Sequence, residues 1–221
     1  MTGGQPIPLI VCFGDSLTAG YQTAGPAHAE AKSTPYGEVL QERLGNQAQV
    51  EVSGICGEVT GEMLLRFRAA VLDRRPRIVI ILGGTNDLGW NADPGEIMRN
   101  LIKMYELARA ASITPVPVTV PSIRVELDGS HPAAASWFAD HLRRRQRVNG
   151  LIAEYAEKKS LPYCDLFRAT AEPGSLMLAE SYSNDGLHLT TSGYHLFGRL
   201  LYEQLFSPAA VQRVDAGSAA S

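Results

Sequence analysis

The chain has 221 residues, of which 45% are hydrophobic and 19% are charged, and its formal net charge is −3 at pH 7. This apolar content is enough for the full core of one domain. The small negative charge argues against a nucleic-acid-binding protein, which would normally carry a basic surface. No apolar run approaches the roughly 20 residues that cross a bilayer.

Apolar runs and helical periodicities alternate along the chain. Short runs that are apolar throughout, such as residues 78–82, are typical of strands buried on both faces. Thr34 is predicted to cap a helix with Pro35 in its first position, and Asp93 does the same before Pro94. The sequence predicts strands over 7–13, 49–53, 78–82, 114–120 and 161–166, and helices over 35–44, 60–73, 94–111, 137–159 and 192–206.

This alternation predicts an α/β fold in which a parallel five-stranded sheet is covered by helices on both faces. Catalytic groups in such folds collect outside the carboxyl ends of the strands. A flavodoxin-like order places the first strand between the second and the third, so the segments that follow these strands would meet. We expect one domain over 1–206 and a flexible tail over 207–221, with long loops at 20–34 and 121–135.

Four segments that combine glycine with polar residues stand out. Residues 14–17 read Gly-Asp-Ser-Leu, residues 53–57 read Ser-Gly-Ile-Cys-Gly and residues 83–87 read Gly-Gly-Thr-Asn-Asp. Each of these follows a predicted strand. Residues 185–188 read Asp-Gly-Leu-His and precede the last helix. The fourth segment needs only to fold over the edge where the first three converge, and the four would then form one site.

Ser16, His188 and Asp185 supply what nucleophilic catalysis by serine requires. A serine hydroxyl is a weak nucleophile and needs a base within hydrogen-bond reach. His188 suits this role because an imidazole with a pKa near 6.5 is largely neutral at physiological pH. Asp185 would accept the other ring N–H and fix the tautomer. Oxyanion donors would be the backbone N–H groups of Ser16 and Gly57 and the side-chain amide of Asn86.

In their order and spacing, the four segments resemble the four sequence blocks of the GDSL (or SGNH) hydrolases, and together they span residues 14–188. The resemblance implies a three-layer α/β/α fold, no metal cofactor, and hydrolysis of esters, thioesters or acetylated sugars. It also implies that Ser16 is the nucleophile with Asp185 and His188 as its partners, and that Gly57 and Asn86 belong to the oxyanion hole.

The sequence departs from this family's pattern at two positions. Cys56 stands where relatives similar to the microbial thioesterase/lysophospholipase group often have serine, and Leu189 follows the histidine where proline is common. Leu88, Trp90 and Leu187 are candidate residues of the substrate pocket, because they directly follow or lie within the third and fourth segments.

Each of these residues also has an ordinary structural interpretation. Ser16 alone could be a helix N-cap, and His188 alone could be a hydrogen-bonded histidine without catalytic duty. Cys56 is a rival nucleophile and His131 a rival base. The arginines of 143–147 indicate a solvated helix face. The joint placement of the four segments on one predicted edge favours catalysis over the separate structural roles.

The sequence therefore predicts a serine esterase for short- to medium-chain acyl esters, acting on a small-molecule substrate. Thioester or lysophospholipid hydrolysis, sugar deacetylation, and a catalytically silent binding module are the alternatives. We expect no metal, no nucleic acid and no integral membrane segment as partners. Residues 1–6 lack a secretory signal and the cysteines fit no zinc pattern, so a cytoplasmic location is expected, with an exported chain whose signal was removed as the alternative.

Overall fold

Strands and helices alternate in the computed structural model, which describes residues 7–25, 30, 32–126 and 132–207. The strands are β1 (Leu9–Gly14), β2 (Tyr21–Gln22), β3 (Lys32–Ser33), β4 (Gln49–Gly54), β5 (Ile78–Leu82) and β6 (Thr114–Pro117). The helices are α1 (Ser16–Ala19), α2 (Tyr36–Leu44), α3 (Thr60–Ala70), α4 (Thr85–Gly89), α5 (Pro94–Ala110), α6 (Pro132–Lys158), α7 (Leu166–Thr170) and α8 (Thr191–Leu205), with 3₁₀ turns at Gly45–Gln47, Leu72–Arg74 and Glu180–Tyr182.

The main sheet is parallel and has the order β4-β1-β5-β6. The predicted order is confirmed, since the first long strand lies between the second and the third. Gly14 at the end of β1 pairs with Gly54 on one side and Leu82 on the other. The carboxyl ends of β1, β4 and β5 are therefore level, and the segments that follow them start from one edge.

The prediction of a fifth strand over 161–166 is wrong, because only one bridge, between Val118 and Cys164, joins that segment to the sheet. The cause lies in β6. The backbone N–H and C=O groups of successive residues face alternately towards β5 and towards the outer edge. Pro115 and Pro117 are at the outer-edge positions, and neither has an N–H to donate. Only the carbonyl of Pro117 and the N–H of Thr119 bond to Cys164, so the ladder cannot extend.

Alternate side chains of the strands enter two separate cores, one on each face of the sheet. Val11 and Phe13 of β1 pack with α3, α5 and α6, whereas Ile10 and Cys12 pack with α2 and α8. Both faces of the strand are apolar because both are covered, as expected for a parallel sheet. The resulting arrangement is the three-layer α/β/α fold.

Several local predictions differ from the structure. Thr34 does not cap α2, whose N-cap is Pro35 without a side-chain hydrogen bond; the Thr34 hydroxyl instead accepts a hydrogen bond from Gln22. The predicted loop over 20–34 contains the short β2–β3 ladder. Asp93 does cap α5 through the N–H groups of the first turn. The predicted tail is 207–221, and its residues after Ser207 lie outside the described residues.

Candidate active site

Ser16 follows β1 immediately and is the first residue of α1. Asp15 is the N-cap of this short helix, and its Oδ1 accepts the backbone N–H of Leu17 at 2.9 Å. In the same turn, the backbone carbonyl of Asp15 accepts hydrogen bonds from the N–H groups of Thr18 and Ala19. A strand that changes to a helix within one residue therefore fixes where the hydroxyl of Ser16 points.

The loop that carries Asp185 and His188 is tied to the segment after β6. Gly186 has a φ of 81°, and a Cβ at this position would lie 2.2 Å from the carbonyl oxygen of Arg124. Only glycine fits this combination of positive φ and close backbone approach. The backbone N–H of Arg124 donates to Gly186 O at 2.8 Å, and the N–H of Gly186 donates to the hydroxyl of Ser183 at 2.9 Å.

Ser16, His188 and Asp185 form one continuous chain of hydrogen bonds. His188 Nε2 lies 3.1 Å from Ser16 Oγ, and His188 Nδ1 lies 2.8 Å from Asp185 Oδ2. Because an ionised carboxylate only accepts hydrogen bonds, Nδ1 carries the proton and Nε2 is free to accept one from the hydroxyl. The rings of Tyr21 and His188 pack in an edge-to-face arrangement, with 4.7 Å between the ring centroids.

Asp185 is held in its ionised form. Burial by itself would raise its pKa, but hydrogen bonds from the ring of His188 and from the backbone N–H groups of Leu187 and His188 outweigh burial and lower it below its usual range. The carboxylate is thus charged over the whole physiological range and can stabilise a protonated His188.

The candidate oxyanion donors come from the ends of three strands. Ser16 contributes the N–H at the start of α1, where the first N–H groups have no acceptor within the helix. Gly57 has a φ of 80° and open space where a Cβ would be. Asn86 lies at the start of α4; one N–H of its amide donates to Glu58 O at 2.9 Å, and the other is left for a substrate.

A cavity of about 360 Å³ opens beside Asn86 and Asp185. Asn86, Trp90 and Leu187 line it, and their place near the substrate stays a prediction. Leu88 does not line it, because its side chain is fully buried in the hydrophobic core that includes Ile97. The remaining lining residues are Thr85, Gly89, Ile123, Arg124, Trp137, His141, Arg145, Asp185 and Gly186.

Cys56, one of the two rival residues, takes no part in this arrangement. Cys56 is exposed and, among the described residues, makes no hydrogen bond to His188. Cys12 on β1 and Cys164 at the isolated bridge to Val118 are buried. His131 lies outside the described residues. Within the described ranges, no group of three or more His, Cys, Asp or Glu side chains is arranged to hold a metal ion.

Sequence comparison agrees with this geometry. The model of the GDSL-like lipase/acylhydrolase family matches residues 12–196, which include all four segments. The chain belongs to this family.

Three known proteins show what this chain is similar to in sequence or in fold. A protein of Bacillus subtilis (strain 168) named an uncharacterized lipoprotein, YqeF, is 25% identical over 223 residues, which cover 92% of this chain and 90% of that protein. A lipase/acylhydrolase from Enterococcus faecalis is 26% identical with a TM-score of 0.69, over 90% of this chain and 95% of that one. A carbohydrate acetylesterase from Sinorhizobium meliloti has a TM-score of 0.71 at 18% identity, over 90% and 98%, and shares the fold.

Two observations bear on the cellular location of this GDSL hydrolase. None of the helices in the described ranges combines the length and the apolar character of a membrane span. The Bacillus protein is named a lipoprotein, so a cytoplasmic location stays a prediction for this chain.

Arg66 on α3 is a residue of the GDSL hydrolase site that the sequence did not single out. Its guanidinium donates to both carboxylate oxygens of Glu58 at 2.6–2.9 Å, to Ser53 Oγ at 2.7 Å and to Gly14 O at 2.9 Å. It also lies over the ring of Phe13, 4.2 Å from the centroid. One side chain thereby joins the ends of β1 and β4 to the loop that carries Gly57.

Replacing Arg66 with lysine is expected to lower kcat for ester hydrolysis about 10–100-fold with little change in KM, because small misplacements of catalytic groups are costly. A lysine can keep one contact to Glu58 but cannot span Ser53 and Gly14. Steady-state kinetics on one ester, with Arg68→Lys on the exposed face of the same helix as control, measures this. Equal kcat in both variants would show that the contacts of Arg66 do not position the loop that carries Gly57.

Asp15 combines complete burial with a carboxylate oxygen, Oδ2, that has no partner in the described chain. Burial raises its pKa to about 7, and the hydrogen bond from Leu17 opposes this only in part. An unfolded aspartate titrates near 3.9. Between these values the unfolded chain loses a proton that the folded chain keeps, so the free energy of unfolding falls as the pH rises from about 4 to about 7.

The variant Asp15→Asn should lack this part of the pH dependence, because the amide mimics the protonated carboxyl and still caps Leu17. Relative to the variant, the wild type should lose on the order of 2–4 kcal/mol between pH 4 and pH 8, since each pKa unit corresponds to about 1.4 kcal/mol. Urea unfolding at several pH values, with the exposed Asp73→Asn as control, tests this. Parallel curves for wild type and Asp15→Asn would contradict the expectation.

Proposed function

We propose that this chain is a serine esterase that cleaves short- to medium-chain acyl esters through an acyl-enzyme on Ser16. The observation that carries the proposal is the unbroken hydrogen-bonded chain from Ser16 Oγ through His188 to Asp185. Its geometry is that of a nucleophile, a base and a group that orients the base. Membership of the GDSL-like lipase/acylhydrolase family supports a hydrolase.

The chemistry has two halves. Ser16 Oγ attacks the ester carbonyl carbon while His188 Nε2 takes the hydroxyl proton, and the negative charge moves to the carbonyl oxygen. The N–H groups of Ser16 and Gly57 and the amide of Asn86 would bind that oxygen. The tetrahedral intermediate collapses, and the alcohol leaves with the proton from His188. Water then attacks the acyl-enzyme by the same steps and frees the acid.

The cavity favours the shorter part of the acyl range. Its volume of about 360 Å³ is near the lower end of ligand pockets, which run from about 300 to 1,000 Å³. Long acyl chains would extend past the exposed Trp90 at its rim. We therefore expect kcat/KM to reach its maximum with acyl chains shorter than palmitoyl.

The test is a panel of p-nitrophenyl esters from acetyl to palmitoyl, assayed with and without a serine-directed phosphonate. Intact mass and peptide mapping after labelling should show one adduct on Ser16 and parallel loss of hydrolysis. Hydrolysis that survives complete labelling of Ser16 would contradict the proposed nucleophile. If neither turnover nor an adduct appears, the catalytically silent binding module becomes the better interpretation.

Sugar deacetylation is a second candidate, favoured by the aromatic residues at the cavity. Trp90 is 81% exposed and Trp137 is 46% exposed, and both line the cavity. Exposed aromatic rings at a cavity mouth suit the apolar faces of sugars. Acetylated xylose or glucosamine as substrates, compared with p-nitrophenyl acetate, separates the two candidates, because an acetylesterase for sugars should release acetate from them with the higher kcat/KM.

A further inference from the structure

Arg145 is a buried cation that forms no ion pair within the described residues, and it lines the cavity beside the site. Its side chain is 1% exposed, although the run of arginines around it predicted a solvated face. In the described chain it donates to the hydroxyl of Thr85 at 3.0 Å, to the carbonyl of Pro121 and to His141 Nε2 at 3.1 Å. All three acceptors are neutral.

The pKa of Arg145 reflects its burial among neutral partners. Burial lowers the pKa of Arg145 to about 9, and the charge of Asp15 opposes this only in part. A buried cation is costly unless a counter-charge or several hydrogen bonds compensate for it. The other arginine of the cavity, Arg124, has two such partners, Glu172 and Glu180. Arg145 therefore differs from Arg124 in having its charge available to a ligand.

Three donors on Arg145 and His141 remain unused. The guanidinium has five N–H groups; its Nε–H is buried without a partner, and one N–H of Nη2 is left after the contact to His141. Burial, followed by the charge of Arg145, lowers the pKa of His141 to about 4, so its ring is neutral. Since His141 Nε2 accepts from Arg145, the proton sits on Nδ1, which also has no partner among the described residues.

These donors match a carboxylate. Nε and Nη2 lie on one edge of the guanidinium, the edge that binds carboxylates through two parallel hydrogen bonds. His141 Nδ1–H lies on the other side of the imidazole from Nε2 and is a separate unpaired donor. Trp137 stacks on the His141 ring with 4.9 Å between centroids and shields this end of the cavity. A neutral acyl chain would leave the free N–H groups of Arg145 unpaired, which disfavours its binding.

We propose that the cavity binds a carboxylate on the substrate, so that the preferred esters carry a negative charge a few bonds from the scissile carbonyl. Arg145 contacts Thr85, the neighbour of Asn86, so the charge would lie close to the candidate oxyanion hole. This inference rests on the proposed function, since it names the substrate class of the same site. Arg145 and His141 are specificity-determining residues in it.

The test compares matched pairs of esters with and without the charge. On the acyl side the pair is p-nitrophenyl hemisuccinate and p-nitrophenyl butyrate; on the alcohol side it is 4-acetoxybenzoate and 4-acetoxybenzamide. In at least one pair the wild type should prefer the charged ester by about tenfold or more in kcat/KM, because a site with buried donors rejects ligands that leave them unpaired. Arg145→Met should abolish this ratio, whereas Arg147→Met, on the exposed face of α6, should keep it.

The ratio separates recognition from a structural role. If Arg145 only held Pro121 and Thr85 in place, Arg145→Met would lower both members of a pair equally and leave the ratio unchanged. Arg145→Lys, which keeps the charge without the forked edge, should retain part of the preference. A wild type that hydrolyses the neutral esters but shows no charge preference in either pair overturns the inference and leaves the esterase proposal intact.

A binding measurement covers the opposite case, in which no ester is turned over. Succinate should raise the melting temperature of the protein more than the neutral diamide succinamide does at the same concentration and ionic strength, and Arg145→Met should remove the difference. Stabilisation by succinate without any hydrolysis would uphold the carboxylate site while the esterase proposal fails. Equal effects of succinate and succinamide on the wild type would contradict the carboxylate site.

Discussion

Replacement of Ser16 by alanine is expected to lower kcat for ester hydrolysis on the order of 10⁴–10⁶-fold while the protein stays folded. The hydroxyl would form the acyl-enzyme, and its hydrogen bond to His188 at 3.1 Å is the only side-chain hydrogen bond it makes in the described chain. Its loss leaves no buried charge unpaired. Thermal unfolding should therefore change little, and the phosphonate should no longer label the protein.

The matched control for this variant is Ser181→Ala. Ser181 is exposed, and its side chain makes no hydrogen bond in the described chain, so kcat and labelling should both equal those of the wild type. The informative measurement is the pre-steady-state burst of p-nitrophenol, which requires an acyl-enzyme. A Ser16→Ala protein that still shows a burst, or that keeps more than about one hundredth of kcat, would move the nucleophile to another residue.

The second large effect is expected for Asp185→Asn, which should lower kcat about 10³–10⁴-fold at pH 7 with KM nearly unchanged. Asparagine can still accept the N–H groups of Leu187 and His188 through its oxygen. Its amide nitrogen would then face His188 Nδ1 as a donor. This arrangement favours the tautomer with the proton on Nε2, and such a ring cannot accept the proton of Ser16.

The same variant also has a pH signature. Because the pKa of Asp185 in the folded protein lies below its unfolded value, the carboxylate contributes stability above about pH 4 that is lost as the pH falls. Asp185→Asn should lack this acid-induced loss, whereas Asp140→Asn, an exposed carboxylate on α6, should retain it. Acid titration of unfolding followed by circular dichroism measures both. Activity within tenfold of the wild type would contradict the proposed role.

Much of the fold and the core of the site could be predicted because they depend on local sequence. Apolar runs located β1 and β5, and Asp93 before a proline located the start of α5. The contacts of Ser16 with His188 followed from segments placed at strand ends. The roles of these residues in catalysis remain proposals that the variants above test.

The rest depended on contacts between distant segments. The fifth strand failed because Pro115 and Pro117 on a neighbouring strand cannot donate to it. Arg66 looked like any charged residue of a helix until Glu58 and Gly14 were brought beside it. Arg145 did leave a signal: His141, Arg145 and Asn149 recur every four residues and share the buried face of α6. That spacing would have separated Arg145 from its exposed neighbours.

The prolines of β6 also bear on how the molecule avoids association with its own copies. An edge strand with free N–H and C=O groups is a template for pairing with another chain, and proteins commonly block such edges. Pro115 and Pro117 remove two donors from the outer side of β6, and Cys164 covers one remaining position. The same residues that end the sheet at four strands therefore protect it against intermolecular β-pairing and aggregation.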